Sequence, residues 1–402
     1  MSNRQDIQSR PNDSGRQTRL QHQLELQSQQ IERFLSHHQL SASITGGAVR
    51  PRSIRFDLVT PLAHGWERLR GLTQELKTAL NVPDVRLSAE DGQLRLHIVR
   101  PEEPPVALLD LLPLLPELPP VTAVLGLAED GRPILLDFDN PDMTHVLAAG
   151  MSGAGKTMLL RTLALSLALK NRQSQLQLLV IDPETANSRT SYTILEPLSF
   201  LPHMLAGISY RLEEAIETLE FLRGEMAYRR QQNTTTPTIM TFIDKADHLL
   251  EIGKGPIVEA LTELLQYGAA VGIHLILSAE RPETAVFDNV LRANLPVRLI
   301  GQTRNAEEAH TAAGITDTNA EYLLGQGDFL AVVGGETTHF QAAYISDYDL
   351  HLCLEDLHRN RPQPLLARPA SIRPQLLTET ETATPDLPQA FFFDGQAIDL
   401  ED

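Results

Sequence analysis

Cysteine is almost absent from this chain of 402 residues, which contains one, Cys353. A single cysteine excludes an internal disulfide framework and argues against a cysteine-based metal site. Long apolar runs are missing as well, because the most apolar stretch, Pro105–Val121, is interrupted by acids and prolines. The polar N-terminus also lacks the apolar core of a signal peptide. We therefore expect a cytoplasmic protein that does not cross a membrane.

Positive charge is scarce. Lys and Arg number 34 against 52 Asp and Glu, which gives a formal net charge of −18. Proteins that bind DNA mainly through its phosphates present a basic face, so this balance argues against a free-standing protein of that kind. Residues 375–402 contain acids but no Lys or Arg, so a local basic patch elsewhere is compatible with the composition.

Changes in composition divide the chain into four predicted segments, with the ranges 1–40, 41–120, 121–360 and 361–402. The first comprises a disordered start and an amphipathic helix over Leu20–Leu40. The second is a small α+β subdomain that ends in a Pro-rich strap over residues 101–120. Its predicted elements are strands at Ser53–Leu58, Val85–Leu87 and Leu94–Val99 and a helix at Gly65–Leu80. The fourth is an acidic tail rich in Pro and Thr.

The third segment has the pattern of an α/β domain. Short apolar runs alternate with helical stretches, which indicates a parallel sheet covered on both faces. The predicted strands are His145–Ala149, Gln177–Asp182, Thr238–Asp244, His274–Ser278 and Pro296–Ile300. The predicted helices are Lys156–Ala168, Arg211–Arg230, Gly255–Tyr267 and Ala306–Ala313.

A phosphate-binding loop follows the first of these strands. The residues are Gly150, Met151, Ser152, Gly153, Ala154, Gly155, Lys156 and Thr157, with Met158 opening the helix beyond them. They satisfy the pattern G-x-x-x-x-G-K-[ST], in which backbone N–H groups surround phosphate, Lys reaches the β- and γ-oxygens, and the Thr hydroxyl ligates Mg²⁺. We expect this loop to bind ATP with Mg²⁺.

Two further strand ends predict catalytic positions. An apolar strand ends in Asp244, the residue type that holds Mg²⁺ beside such a loop. The next residue is Lys245, where many ATPases of this architecture have a Glu that polarises the attacking water. A second buried strand runs into Ser278 and Glu280, which are suited to sensing the γ-phosphate.

These motifs together resemble the FtsK/SpoIIIE family of DNA translocases. The segments that carry the resemblance are LVIDP (179–183), GIHLILSAERP (272–282), LRANLPVR (291–298) and LLGQGDFL (323–330). The resemblance implies a RecA-like P-loop NTPase domain preceded by an α subdomain. It also implies a hexameric ring around double-stranded DNA, with ATP between protomers.

The chain departs from the family pattern where the γ-phosphate should lie. The family has Lys, Glu and Gln at positions that Glu184, Lys245 and Glu280 occupy here. The first two changes suggest a charge reversal that keeps an ion pair; alternatively, Lys245 points to solvent. The predicted catalytic residues are thus Asp244, Lys245, Glu280 and Arg298, the last acting across a protomer boundary, for which Arg292 and Arg304 are further candidates.

Three functions remain open at this point. The leading hypothesis is a ring-forming ATP-dependent motor on double-stranded DNA, with hydrolysis weakened or altered by Lys245. The alternatives are a non-hydrolysing, ATP-bound scaffold or partner subunit, and a secretion-type motor that acts on protein. Phe391–Phe393 lies within residues 385–402, a segment that is predicted to dock on the chain's own core, to bind a protein partner or to compete with DNA.

Overall fold

Two separate β-sheets organise the chain in the computed structural model. The residues that the structure describes are 13–49, 53–59, 65–82, 84–90, 93–99, 105–128, 130–183, 193–281 and 289–360. They belong to one compact unit. Glu184 and the predicted tail, with its Phe cluster, lie outside these ranges, as do residues 1–12.

The smaller sheet has four antiparallel strands in the order β1-β2-β4-β3. The elements are α1 Asp13–His37, β1 Ser43–Val49, β2 Ser53–Val59, α2 Gly65–Gly71, α3 Thr73–Leu80, β3 Val85–Glu90 and β4 Gln93–Val99. The prediction missed β1, because its Gly46-Gly47 pair lowers strand propensity. The predicted helix over 65–80 is two helices that separate beside Gly71, a poor helix former.

One face of this sheet forms a small hydrophobic core. Ile54, Phe56 and Leu58 alternate along β2 and are buried, as the sequence predicted. They pack with Ile31 and Leu35 of α1, both fully buried. The amphipathic helix of the N-terminal segment therefore packs on its own chain, and it begins at Asp13 instead of Leu20.

The larger sheet has nine strands. Its elements, with those that precede it, are α4 Leu108–Leu111, β5 Thr122–Ala128, β6 Pro133–Asp137, β7 Val146–Ala149, α5 Lys156–Lys170, β8 Leu176–Ile181, α6 Leu212–Gln232, β9 Thr238–Ile243, α7 Ala246–Tyr267, β10 Ile273–Ala279, α8 Asn289–Ala293, β11 Val297–Ile300, α9 Ala306–Ala313, β12 Asp328–Val333, β13 Glu336–Ala342 and α10 Asp347–Asn360. Helix α7 starts earlier than predicted and is interrupted at Lys254, which has a non-helical backbone.

The strand order is β6-β5-β13-β12-β11-β7-β10-β9-β8. The five predicted strands, β7 to β11, are parallel neighbours, but β12, β13, β5 and β6 pair antiparallel. The prediction of a parallel sheet therefore holds for β7 to β11, and the sequence analysis missed the four antiparallel strands that extend it. The missed signal was Gly334-Gly335, two residues with positive φ that join β12 to β13 as a tight hairpin.

Helices cover both faces of the large sheet, as predicted. Along β7, Val146 and Ala148 face one hydrophobic core, whereas Leu147 and Ala149 face the other. Helices α5 and α10 contribute to the first core, and α6, α7 and α9 contribute to the second. This alternation explains the continuous apolar runs of the parallel strands.

The parallel strands deliver their carboxyl ends to one edge of the sheet. Strand β8 neighbours β9, and β9 neighbours β10. Asp182 and Asp244 directly follow β8 and β9, and Ser278 is near the end of β10, so the three residues lie at adjacent strand ends. Strand β7, which leads into the phosphate loop, lies between β10 and β11. None of the described helices is long and apolar enough to span a bilayer.

Two buried histidines lie near the opposite, amino-terminal edge. His145 accepts a hydrogen bond from the Leu275 backbone N–H at 3.0 Å, and its ring lies 6.1 Å from that of His274. Burial, together with the neighbouring His274, lowers the pKa of His145 to about 3.

The histidine should therefore make folding pH-dependent. In the unfolded chain His145 takes up a proton near pH 6.5, whereas in the folded chain it stays neutral down to about pH 3, so stability falls as the pH drops through this window. Because of His145, we expect the free energy of unfolding of the wild type to fall by about 2 kcal/mol from pH 7 to pH 5. His145→Asn keeps an acceptor for Leu275 and should flatten urea-unfolding stability against pH. An identical dependence of stability on pH in His145→Asn and the wild type would contradict the assignment.

Candidate functional site

The phosphate loop is held by backbone hydrogen bonds to two other segments of the same chain. The N–H of Met151 donates to the carbonyl of Gln302 at 2.7 Å. The N–H of Gln326 donates to the carbonyl of Gly153 at 3.0 Å, and the N–H of Gly327 donates to the carbonyl of Ala154 at 2.8 Å. These contacts come from the ends of β11 and β12, so the loop is shaped before any ligand arrives.

Gly155 is required where the loop enters α5. Its φ is +103°, and a Cβ built there would lie 2.8 Å from the backbone nitrogen of Gly327. A larger residue would be strained and would displace the segment that supports the loop. The glycine of the motif thus serves close backbone packing as well as phosphate access.

Lys156 is almost fully buried at the first turn of α5. Its Nζ donates to the carbonyls of Gly150 at 2.8 Å and Met151 at 3.1 Å. Burial lowers the pKa of Lys156, and the charges of Glu280 and Asp244 oppose that shift. The ammonium lies 3.9 Å from Glu280 Oε1.

The two predicted metal ligands are in direct contact. The Thr157 hydroxyl donates to Asp244 Oδ2 at 2.9 Å, and the Ser278 hydroxyl donates to Asp244 Oδ1. Asp244 is only 1% exposed, and its contact with Thr157 places the carboxylate at the end of the phosphate loop. Within the described ranges, no group of three or more His, Cys, Asp or Glu could hold a metal alone. A Mg²⁺ here would therefore need nucleotide or water oxygens to complete its ligands.

Lys245 does not point freely into solvent. Its Nζ contacts Asp182 Oδ1 at 2.7 Å, across the adjacent ends of β9 and β8. Asp182 is 2% exposed, and its burial raises the pKa of the carboxyl while the Lys245 contact lowers it. The predicted partner, Glu184, lies outside the described residues, so the Glu184–Lys245 pair stays a prediction. The sequence analysis missed Asp182, although it ends a strand at the same edge.

Asp247 was also missed, and it fixes the turn that carries Glu280. Its Oδ2 accepts from the backbone N–H groups of Glu280 at 3.2 Å and Arg281 at 3.0 Å. Asp247 lies in the first turn of α7, two residues after Lys245. The turns after β9 and β10 are therefore linked, with Glu280 facing Lys156.

Arg298 lies apart from these residues. Its guanidinium donates to the carbonyls of Arg292 at 3.0 Å and of Leu295 and Ala312 at 3.4 Å. Burial, with the charge of Arg292 beside it, lowers the pKa of Arg298. Its side chain thus braces its own chain. Arg304 pairs with Glu308 at 3.7 Å, and a role for either arginine in a neighbouring protomer stays a prediction.

A cavity of about 640 Å³ opens over the phosphate loop. Many residues of the predicted site line this cavity. They are Ser152, Gly153, Gly155, Lys156, Thr157, Met158, Asp244, Lys245, Ser278 and Glu280. Gly150, Met151 and Ala154 support the loop and are not among its lining residues. The predicted phosphate and metal groups therefore converge on one space, whereas Arg298 lies outside its lining.

The chain is similar to known proteins in sequence and in fold. Residues 118–236 match the model of the FtsK/SpoIIIE family. The resemblance to that family is confirmed. The DNA translocase SftA of Bacillus subtilis (strain 168) is 24% identical over 373 residues, covering 85% of this chain and 38% of that protein. The DNA translocase FtsK of Halalkalibacterium halodurans is 26% identical over 364 residues, covering 82% of this chain and 44% of that protein.

The chain spans about two fifths of the length of these FtsK/SpoIIIE relatives. Among solved structures, the pCW3 conjugation coupling protein TcpA, in a monomer form with ATPγS, has a TM-score of 0.57 and 17% identity. The match covers 84% of this chain and 99% of that chain. The RecA-like P-loop fold implied by the sequence is therefore confirmed.

The Lys245–Asp182 contact predicts a pH-dependent stability. Lys245→Met would leave the buried Asp182 carboxylate without its cation and raise the pKa of that carboxyl further. The cost appears as the pH rises through this raised pKa, because only the ionised form lacks a partner. We expect a loss of about 1–3 kcal/mol in the free energy of unfolding at pH 7.5, shrinking toward pH 5.

Urea unfolding of wild type, Lys245→Met and Lys170→Met measures this effect. Lys170 lies at the exposed end of α5 and serves as the matched lysine control. An equal loss for Lys245→Met at both pH values would show that the lysine does not neutralise Asp182.

Proposed function

We propose that the chain is an ATP-binding motor of the FtsK/SpoIIIE type that acts on double-stranded DNA as a ring. The observation that carries the proposal is the convergence of Lys156, Thr157 and Asp244 on one cavity, with the Thr157 hydroxyl 2.9 Å from Asp244 Oδ2. Such a combination of phosphate loop and strand-end aspartate is the arrangement that binds a nucleoside triphosphate with Mg²⁺.

The residues fit this ligand. The Lys156 ammonium donates to two loop carbonyls and can transfer those bonds to phosphate oxygens. Thr157 and Asp244 would hold Mg²⁺, which neutralises charge on the phosphates when bound. The cavity volume, about 640 Å³, lies in the range of nucleotide-sized pockets.

DNA as the partner is supported by the DNA translocases among the relatives. The net charge of −18 requires that the DNA contacts be confined to a local surface and not spread over the chain. Assembly into a ring, with ATP between protomers, follows the family resemblance.

Hydrolysis should be slow, because Lys245 occupies the position of the water-polarising carboxylate. Its ammonium is paired with Asp182, and among the residues that the structure describes, Glu280, 3.9 Å from Lys156, is the acid that lines the cavity besides Asp244. The same observation favours the alternative function, an ATP-bound scaffold or partner subunit that does not turn over. Turnover in the presence of DNA separates the two.

Binding of ATP tests the core of the proposal. We expect micromolar-range affinity by calorimetry with Mg²⁺ for the wild type and a loss of about 2–5 kcal/mol for Lys156→Ala, because a charge-assisted contact in a buried site is removed. Lys170→Ala removes the same positive charge at a residue that does not line the cavity, and this variant should bind ATP like the wild type. Equal affinities of the wild type and Lys156→Ala would overturn nucleotide binding at this loop.

Steady-state ATPase rates with and without linear duplex DNA test the motor. We expect slow turnover that DNA stimulates; tight ATP binding with no turnover would support the scaffold instead. Lys245→Glu alone should not restore fast hydrolysis, because the new carboxylate would lie beside Asp182 and Glu280 without a balancing cation.

The double variant Lys245→Glu with Glu184→Lys should be much faster than either single variant, since it recreates the family's charge pattern. Lys156→Ala serves as the inactive control. If Lys245→Glu alone is as fast as the double variant, the charge reversal is not compensated and Lys245 is a simple loss of the catalytic acid.

A further inference from the structure

The turn after β10 starts beside the phosphate loop. Strand β10 pairs directly with β7, which leads into the loop, and Ala279 is in register with Ala149. The N–H of Gly150, the first residue of the loop, donates to the carbonyl of Ala279 at 3.3 Å. Glu280, the residue after Ala279, therefore begins level with the start of the loop.

Lys245 turns away from this strand. Strand β9 lies between β10 and β8, and the Lys245 ammonium contacts Asp182, which follows β8. The position of the family's water-polarising Glu thus holds a cation that is paired on the far side of β9. Among the described residues that line the cavity, the acids are Asp244 and Glu280. Because Asp244 is the proposed ligand of Mg²⁺, Glu280 is the carboxylate that remains for activating water.

The Glu280 carboxylate lies close to the ammonium that is expected to hold the phosphates. Its Oε1 is 3.9 Å from Lys156 Nζ, which is too long for a direct hydrogen bond. The Glu280 side chain is 45% exposed and lines the cavity. A general base must reach the proton it removes at about 2.6–3.2 Å or through one water. A water between Glu280 and a phosphate bound to Lys156 would meet this requirement.

Asp247 holds the backbone of the turn that carries Glu280. It is 5% exposed, and its Oδ2 accepts from the N–H groups of Glu280 at 3.2 Å and Arg281 at 3.0 Å. Hydrogen bonds from backbone N–H groups to a carboxylate are charge-assisted and strong. A second tie, from Arg281 to Glu251 at 3.7 Å, joins two partly exposed side chains and contributes less. Asp247 therefore sets where Glu280 begins relative to the phosphate loop.

We propose that Glu280 is the general base of ATP hydrolysis in this chain and that Asp247 is the residue that positions it. This inference rests on the proposed nucleotide binding and adds to it the group that activates the attacking water. The Glu280 carboxylate accepts a proton from the water, whose oxygen forms a bond to the γ-phosphorus. The bond from that phosphorus to the β–γ bridging oxygen breaks and its electron pair leaves with ADP, so the products are ADP and inorganic phosphate.

One substitution separates this role from simple sensing of the γ-phosphate. The FtsK/SpoIIIE pattern has Gln at the position of Glu280. If Glu280 only sensed phosphate, Glu280→Gln would install the family residue and would keep or raise the rate of hydrolysis. If Glu280 is the general base, the same change removes the group that accepts the proton. The two roles therefore predict opposite results for one variant.

The test is single-turnover ATP hydrolysis by the full chain with Mg²⁺ and linear duplex DNA, together with ATP affinity from calorimetry. Glu280→Gln should lower the rate at least about 100-fold. It should not weaken ATP binding, because it removes an acid beside the phosphates. Glu280→Asp keeps a carboxylate and should be faster than Glu280→Gln. Glu259→Gln, at an exposed acid of α7 that does not line the cavity, should match the wild type.

Asp247 variants test the positioning role. Asp247→Ala should slow hydrolysis about 10- to 100-fold while ATP affinity changes less than about 2-fold. Asp247→Asn keeps an oxygen that accepts from both N–H groups and should recover much of the rate. In the Glu280→Gln background, Asp247→Ala should cost less than about 2-fold more, because no base remains to be displaced. In the ligand-free chain, Asp247→Ala should speed hydrogen exchange of the Glu280 and Arg281 amides.

Each outcome bears on a different part of the inference. Hydrolysis by Glu280→Gln at or above the wild-type rate would overturn the general base, while the proposed function would stand. An equal loss from Asp247→Ala in both backgrounds would overturn the positioning role. The Glu280 variants change a half-exposed side chain and decide the first point even if Asp247→Ala does not fold. A wild type that binds ATP without turnover would overturn the inference and support the scaffold, and one that binds no ATP would overturn the proposed function as well.

Discussion

The backbone support of the phosphate loop is the constraint on which the rest of the site depends. Gln302, Gln326 and Gly327 hold the loop through main-chain hydrogen bonds, so its shape does not rely on side chains that a ligand could displace. Because these groups come from the ends of β11 and β12, the antiparallel half of the sheet supports the loop that the parallel half delivers. Preorganisation of this kind reduces the conformational entropy that is lost when a ligand binds.

The small sheet contacts the same support. Arg86 of β3 donates to the carbonyl of Leu323, and the backbone of Leu324 in turn donates to Asp328 at 2.7 Å. Three residues after Leu323, Gln326 holds the phosphate loop. The segment 323–328 therefore touches the small sheet at one end and the cavity over the phosphate loop at the other.

Charge in the cavity is balanced pair by pair. Lys245 neutralises Asp182 at 2.7 Å, and Lys156 faces Glu280 at 3.9 Å, while Asp244 is held by two hydroxyl groups. A buried carboxylate without such a partner would be costly. Lys245 thus cannot be considered apart from Asp182, because its ammonium pairs with that buried carboxylate.

The sequence by itself determined the phosphate loop, the five parallel strands and the RecA-like fold. These features rest on local rules, because glycines with positive φ, apolar runs and helix starts depend on neighbouring residues. Only the tertiary structure decided that Lys245 contacts Asp182, that Arg298 braces its own chain, and that Pro105, Ile194 and Tyr344 line the same cavity. Those contacts join residues far apart in the chain, and their partners follow from strand order and an isolated β-bridge that no local pattern encodes.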